Sequence, residues 1–100
     1  MTTKRADQDI EVALDHYLGE GANDVALALV GALEDTKVLI GEHAQLGSVR
    51  LAAETDITEM RTLALRRFPY LAFYTDDTDV VHIHRVLHTA GDIPSGLLEG

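Results

Sequence analysis

The sequence predicts an α+β fold, with a two-helix antiparallel hairpin packed on a small antiparallel β-sheet whose first strand is short or missing. Three observations carry this reading. Apolar residues recur at helical spacing up to about residue 41, they alternate at strand spacing from residue 61, and glycines separate the blocks.

The first helix is expected over about residues 6–18. Ile10, Ala13, Leu14, Tyr17 and Leu18 fall on one helical stripe. Asp7, Asp9 and Glu11 crowd the first turns, where the helix dipole favours negative charge. Gly19 and Gly21 stop it. Asn23 is the expected N-cap of a second helix running to about residue 41, ended by Gly41 or Gly47. Val25, Ala26, Leu29, Leu33 and Ile40 mark its buried side. Leu27, Val30, Val38 and Leu39 broaden that stripe, so this helix should meet both the first helix and the sheet.

Residues 42–60 lack a period and read as a loop with room for a helical turn, with Gly47-Ser48 as a turn. Strands follow over about 61–68, 70–75 and 80–89. Pro69 interrupts at a strand end or bulge, and Asp76–Asp79 forms a hairpin turn. In the last strand, simple alternation puts Val81, Ile83 and Leu87 on one face with Arg85, and Val80, His82, His84, Val86 and His88 on the other. Residues 90–100 form a tail, and the whole chain is expected to be one domain. Short connections between three consecutive strands imply an antiparallel meander.

Composition narrows the function. With no cysteine, disulfides, thiolate catalysis and Cys-based zinc sites are excluded. No apolar run approaches the ~18 residues of a membrane span. No signal core follows the basic start, so a cytoplasmic protein without a membrane partner is expected. The net charge is −9, which opposes strong direct binding to nucleic acid. Residues 1–47 hold Lys4, Arg5 and Lys37 against nine acids; any basic surface must come from Arg50, Arg61, Arg66, Arg67 and Arg85. No phosphate loop, dinucleotide fingerprint, nucleophile elbow or His-Glu-x-x-His motif occurs, and no cofactor is expected.

Four segments in order carry a resemblance. Arg5-Ala6-Asp7-Gln8-Asp9-Ile10 opens the first helix, and Gly47-Ser48-Val49-Arg50 follows the second. Arg66-Arg67-Phe68-Pro69-Tyr70-Leu71-Ala72-Phe73-Tyr74 forms the central hairpin. Arg85-Val86-Leu87-His88 leads to Asp92-Ile93-Pro94. Together they resemble the RelE/ParE superfamily of type II toxin–antitoxin toxins, over roughly Arg5 to Pro94. The resemblance implies a short first strand, a helical hairpin and a three-stranded meander. Here only Met1–Arg5 stand before the first helix, with Thr2–Lys4 as the most that could pair. A shortened strand would leave backbone groups for a partner strand. Gly91 stands where the family usually carries an arginine.

The resemblance favours the ParE branch, which acts by binding, with DNA gyrase as the target. Arg61, Arg66, Arg67, Tyr70 and Arg85 are then the target contacts. The plainer readings are a solvated strand exit for Arg66 and Arg67, an ion pair with an acid such as Asp92 for Arg85, and core packing for Tyr70. No catalytic residue is expected. The rival is the RelE branch, a ribosome-dependent mRNA endoribonuclease, for which Arg61, Arg85 and His88 would be the groups. Residues 90–100 hold no Lys, Arg, His or Tyr to complete that site. A third reading is a degenerate, weakly active or inactive toxin.

The partner the resemblance implies is a cognate antitoxin, in a heterodimer or heterotetramer. Glu11, Asp15, Leu18, Asp24, Glu34 and Asp35 are its expected contacts, matched by basic residues beside apolar anchors. His82 and His84 form a His-x-His that could hold a metal if further ligands converged; exposed strand histidines are the plainer reading, and no metal is expected. His16 and His43 read as surface residues.

Overall fold

Two helices, α1 (Lys4–Gly19) and α2 (Asn23–Glu42), precede a three-stranded antiparallel sheet in the order β1-β2-β3: β1 (Arg61–Ala64), β2 (Tyr70–Asp77) and β3 (Val80–His88). The computed structural model describes residues 1–50, 52, 59–77 and 80–89. This is the α+β arrangement read from the sequence. The tail, including Gly91 and Asp92-Ile93-Pro94, and residues 78–79 of the hairpin turn lie outside the described residues.

The helix α1 begins two residues earlier than its apolar stripe suggested, because Thr3 caps it. The Thr3 side chain accepts the Ala6 N–H at 3.2 Å and donates to the His84 carbonyl at 3.0 Å. One residue thus starts the helix and ties it to β3. At the other end the Ala22 N–H reaches the Tyr17 carbonyl at 2.9 Å, and the Gly21 N–H reaches Leu18 at 3.0 Å. Gly21 sits at φ 75. This is a Schellman stop, and glycine takes its left-handed position without strain. Gly19 is simply the last helical residue.

Asn23 is not the cap of α2. Ala22 holds that position, and no side chain caps the helix. The helix also passes through Gly41 and ends at Glu42; His43 leaves the helical region at φ −138 and ψ 63, and a 3-10 turn, Ala44–Leu46, follows. The short helical turn allowed for within the loop 42–60 is this one. The loop also contains an antiparallel bridge from Ser48 to Thr62 on the outer edge of β1.

β1 stops at Ala64, four residues short of its expected end. Leu65–Phe68 instead forms a tight turn in which Arg67 takes φ 70, so the arginines Arg66 and Arg67 sit on a turn and not on a strand. β2 extends to Asp77, taking in two residues assigned to the hairpin turn.

β3 carries an irregularity that simple alternation could not anticipate. Arg85 lies opposite Phe73 and Ile83 opposite Tyr74, so His84 is an extra residue, a β-bulge. One inserted residue exchanges the two faces of everything beyond it. Ile83 and Val86 therefore share the helix-facing core with Tyr70, Ala72 and Tyr74, while Leu87 joins Phe73, Leu71, Ala52 and Met60 on the far face.

The first strand is reduced to Thr2, which makes a single parallel bridge to Ile83. The Ile83 N–H donates to the Met1 carbonyl at 2.8 Å, and the Thr3 N–H donates to the Ile83 carbonyl at 2.9 Å. Further along the same edge, the Val86 N–H donates to the Asp9 carboxylate at 3.0 Å. That edge, expected to await a partner strand, is thus filled at Ile83 and Val86 by the chain itself.

Candidate partner-binding site

The outer side of α2 presents four large apolar residues to solvent. Leu27 is 72% exposed, Val38 58% and Val30 40%, and Leu39 is also exposed. The expectation that these four broaden the buried stripe is corrected: only Ala26, Leu29, Ala32, Leu33, Thr36 and Ile40 are buried. At about 100° per residue, Leu27 and Val38 lie nearly in line, forming a ridge opposite the buried arc. A groove runs along each flank of that ridge.

The first groove lies between the helices. It has a volume of about 320 Å³ and is lined by Leu14, Leu18, Asn23, Ala26, Leu27 and Val30. Glu11, Asp15 and Leu18 recur at helical spacing on the exposed stripe of α1 beside it. Glu34 lies on the same flank of α2, close to the ridge. Asp24 and Asp35 fall on the opposite flank. Of the six expected antitoxin contacts, Leu18 lines the cleft between the helices; helical spacing sets Glu11, Asp15 and Glu34 beside it and Asp24 and Asp35 across the ridge.

The second flank faces β1 and the turn beyond it. Two clefts, about 470 and 260 Å³, meet there at Asp35 and Arg66. Arg66 and Arg67 are both exposed.

The remaining candidates are dispersed. Arg61 donates to the carbonyls of Gly47 at 2.8 Å and Gln45 at 3.2 Å, pinning the loop after α2. Arg85 pairs with Asp9, Nε to Oδ2 at 2.7 Å and the second guanidinium nitrogen to Oδ1 at 3.0 Å, so the expected ion pair with an acid is present, while Asp92, named as an example, lies outside the described residues. Asp9 therefore binds Arg85 in bidentate fashion while capping the edge of β3, a fork geometry that fixes orientation as well as charge. Tyr70 is buried, its ring edge-on to His88 at 5.1 Å. Of the five proposed target contacts, only Arg66 and Arg67 are neighbours presented fully to solvent. Arg61, Arg85 and His88 lie opposite Tyr74, Phe73 and Tyr70 respectively, on two strands separated by β2.

His82 and His84 lie with ring centroids 6.2 Å apart. His82 is bonded to Asp77 at 2.6 Å and His84 to Thr75 at 2.8 Å. Among the described residues no group of three or more His, Cys, Asp or Glu converges as a metal site. His16 and His43 are exposed. No helix among the described residues is long and apolar enough to cross a membrane.

The comparisons with known proteins bear on this arrangement. The family model for the ParE toxin of the type II toxin–antitoxin system, parDE, matches residues 1–93. The chain belongs to the ParE toxin family. A solved structure described as the chromosomal ParDE TA system from P. aeruginosa has a TM-score of 0.70 and 24% identity, covering 87% of this chain and 90% of that one. At that identity the likeness bears on the fold, which the two share. No curated protein matches. The α+β meander and the resemblance drawn from the hairpin and strand motifs are both upheld, and the ParE branch is the one that matches.

Sequence reasoning missed the exposure of Leu27 and Val30 and the cleft that they line with Leu14. The signal was present: Val25–Val30 is an unbroken apolar run, and a helix apolar around that much of its circumference has more surface than one core face can bury.

Proposed function

We infer that this ParE-family chain is a toxin that acts by binding and is neutralised by a cognate antitoxin. The antitoxin's amphipathic helix lies in the α1–α2 cleft. The observation that carries this reading is the apolar floor of Leu14, Leu18, Leu27 and Val30 bordered by Glu11, Asp15 and Glu34. An exposed apolar face rimmed by acids suits a helix with apolar anchors and flanking Lys or Arg. A second copy of this chain fits poorly, because the same acids would meet each other at net charge −9.

The toxin's target is DNA gyrase, reached in the cytoplasm through the exposed Arg66–Arg67 turn. A binding mode is supported by how the nuclease candidates are used: Arg61 serves carbonyls, Arg85 serves Asp9 and His88 lies against Tyr70. Cleavage would instead need cations and a proton donor converging on one phosphate.

The test is co-expression with the product of the adjoining reading frame. The two should co-purify, and Leu27→Lys should weaken the pair by about 30- to 100-fold, equivalent to ~2–3 kcal/mol for an anchoring leucine and a repelled basic helix. The isolated chain should inhibit gyrase supercoiling. Codon-phased cleavage of ribosome-bound mRNA, with supercoiling untouched, would replace this reading by the RelE-like one.

A further inference from the structure

His82 and His84 belong to a hydrogen-bonded chain that neither the core nor the helical cleft uses. Val81 and Ile83 pack into the core under the helices, so His82 between them lies on the opposite face of the sheet, beside its pairing partner Thr75. His84 is the bulged residue, and a bulge re-aims its side chain. Its ring reaches the same threonine, with Nε2 at 2.8 Å from Thr75 Oγ1. The Thr75 hydroxyl donates to Asp77 Oδ2 at 3.4 Å, and that oxygen also holds His82 Nδ1 at 2.6 Å.

The chain of bonds has a direction. Asp77, as a carboxylate, only accepts. His82 donates to it through Nδ1, and the neutral ring then keeps a bare lone pair on Nε2. With the Thr75 hydroxyl turned to Asp77, His84 donates through Nε2 and keeps a bare lone pair on Nδ1. The two ring centroids are 6.2 Å apart, their planes tilted by 43°. An ion at ~2.1 Å from one nitrogen of each ring lies roughly 3.3 Å from each ring centre, so two rings sharing it stand at most ~6.5 Å apart. The observed separation falls inside that reach. Both histidines are half-buried, so an ion has a path to them.

The surroundings select a cation. Asp76 and Asp77 adjoin the pair, the chain carries a net charge of −9, and Arg85, the next residue along, is paired with Asp9. Lys37 lines the cleft on the helix side of the hairpin. A phosphate placed at the two rings would meet carboxylates. Among cations, magnesium and calcium prefer all-oxygen shells, whereas imidazole suits zinc and copper.

We propose that His82, through Nε2, and His84, through Nδ1, bind one divalent transition-metal ion of the imidazole-preferring class, zinc or copper, with water completing its shell. Asp77 is the positioning residue. It accepts the second ring proton of His82, as outer-shell carboxylates do for metal-bound histidines, fixing the tautomer and raising the basicity of the ligand. Two imidazoles fall short of the four ligands of a closed zinc site, so the ion stays exchangeable. The site lies across the sheet from the α1–α2 cleft and does not depend on the antitoxin reading.

ZnCl2, and separately CuCl2, is titrated into the 15N-labelled full chain carrying no affinity tag. Calorimetry gives the affinity, and NMR of the histidine ring nitrogens gives the place. One zinc per chain is expected, with His82 Nε2 and His84 Nδ1 moving and the rings of His16 and His43 unmoved. Before any ion is added, His82 should already carry its proton on Nδ1. Saturating zinc should raise Tm by several degrees, because only the folded hairpin brings the rings together; magnesium should not. His82→Ala and His84→Ala should each lower affinity at least tenfold. Asp77→Asn should lower it about tenfold and shift the His82 tautomer, a change that a merely structural role would not produce. No binding of either ion at millimolar concentration, or full affinity in His82→Ala or His84→Ala, would overturn the proposal. So would ring shifts confined to His16, which stands beside Glu20, or equal affinity for magnesium.

Discussion

Replacing Gly47 by alanine should be among the costliest small changes available to this protein. Gly47 takes φ −67 and ψ 156, a conformation open to any residue. Its constraint is space. A Cβ there would stand 2.4 Å from the Tyr74 hydroxyl, 2.8 Å from its Cε1 and 2.9 Å from the Thr62 carbonyl. Tyr74 is fully buried, and the Thr62 carbonyl is engaged by the Ser48 N–H at 2.9 Å, so neither neighbour moves freely. Forcing one extra carbon into a packed site costs ~1–3 kcal/mol. If the ring yields, it also loses the bond it accepts from the Gly47 N–H at 2.9 Å and the one it donates to the Ala44 carbonyl at 2.7 Å. Each is worth about 1 kcal/mol. The sum for Gly47→Ala is about 3–5 kcal/mol, or a fall in Tm of roughly 15–25 °C in a domain of this size.

Tyr74→Phe alone removes both bonds without a clash and should cost about 2 kcal/mol. In the double variant the closest contact is gone, so its cost should fall below the sum of the singles by at least about 1 kcal/mol. Urea unfolding followed by far-UV circular dichroism measures all four corners. A Gly47→Ala protein within about 0.5 kcal/mol of the parent would refute the steric argument, as would strict additivity.

Other expectations follow from the same geometry. Asp9→Ala should destabilise by about 2–4 kcal/mol, because it leaves the Val86 N–H without its acceptor and removes the bidentate carboxylate from the partly buried Arg85. Asp9→Asn keeps an acceptor for Val86 and should cost less; equal losses in urea titration would show that Asp9 does not cap the strand edge. Gly21→Ala meets open space but a left-handed backbone, and should cost about 1 kcal/mol by the same assay. No loss there would mean that the hairpin turn adjusts without strain.

Much of the fold was legible because period alone carries it. The buried stripe of Ile10, Ala13, Leu14 and Tyr17 and the aromatic run Tyr70–Tyr74 place the helices and the central strand whatever their neighbours do. What escaped depends on distant partners. The bulge at His84 has no local signature; it appears only when β3 is paired with β2, and it then moves Val86 to the helix face and Leu87 away from it. Thr3 reads as a cap only once His84 offers its carbonyl. Asp9 reads as one more acid in a first turn until Arg85 and Val86 reach it across more than seventy residues of chain. The site was partly legible for the same reason. The acids Glu11, Asp15 and Glu34 declare a charged surface by composition, but whether Leu27 and Val30 lie under the sheet or in solvent is decided by where the sheet stops.

Hydrogen exchange on the chain, alone and bound to the product of its adjoining reading frame, measures most directly whether the helical hairpin is the partner surface. New protection should be concentrated at the apolar cleft, over residues 11–18 and 23–34. A stable complex that leaves those residues exchanging as in the free chain, with protection only on the far face of the sheet, would contradict the account.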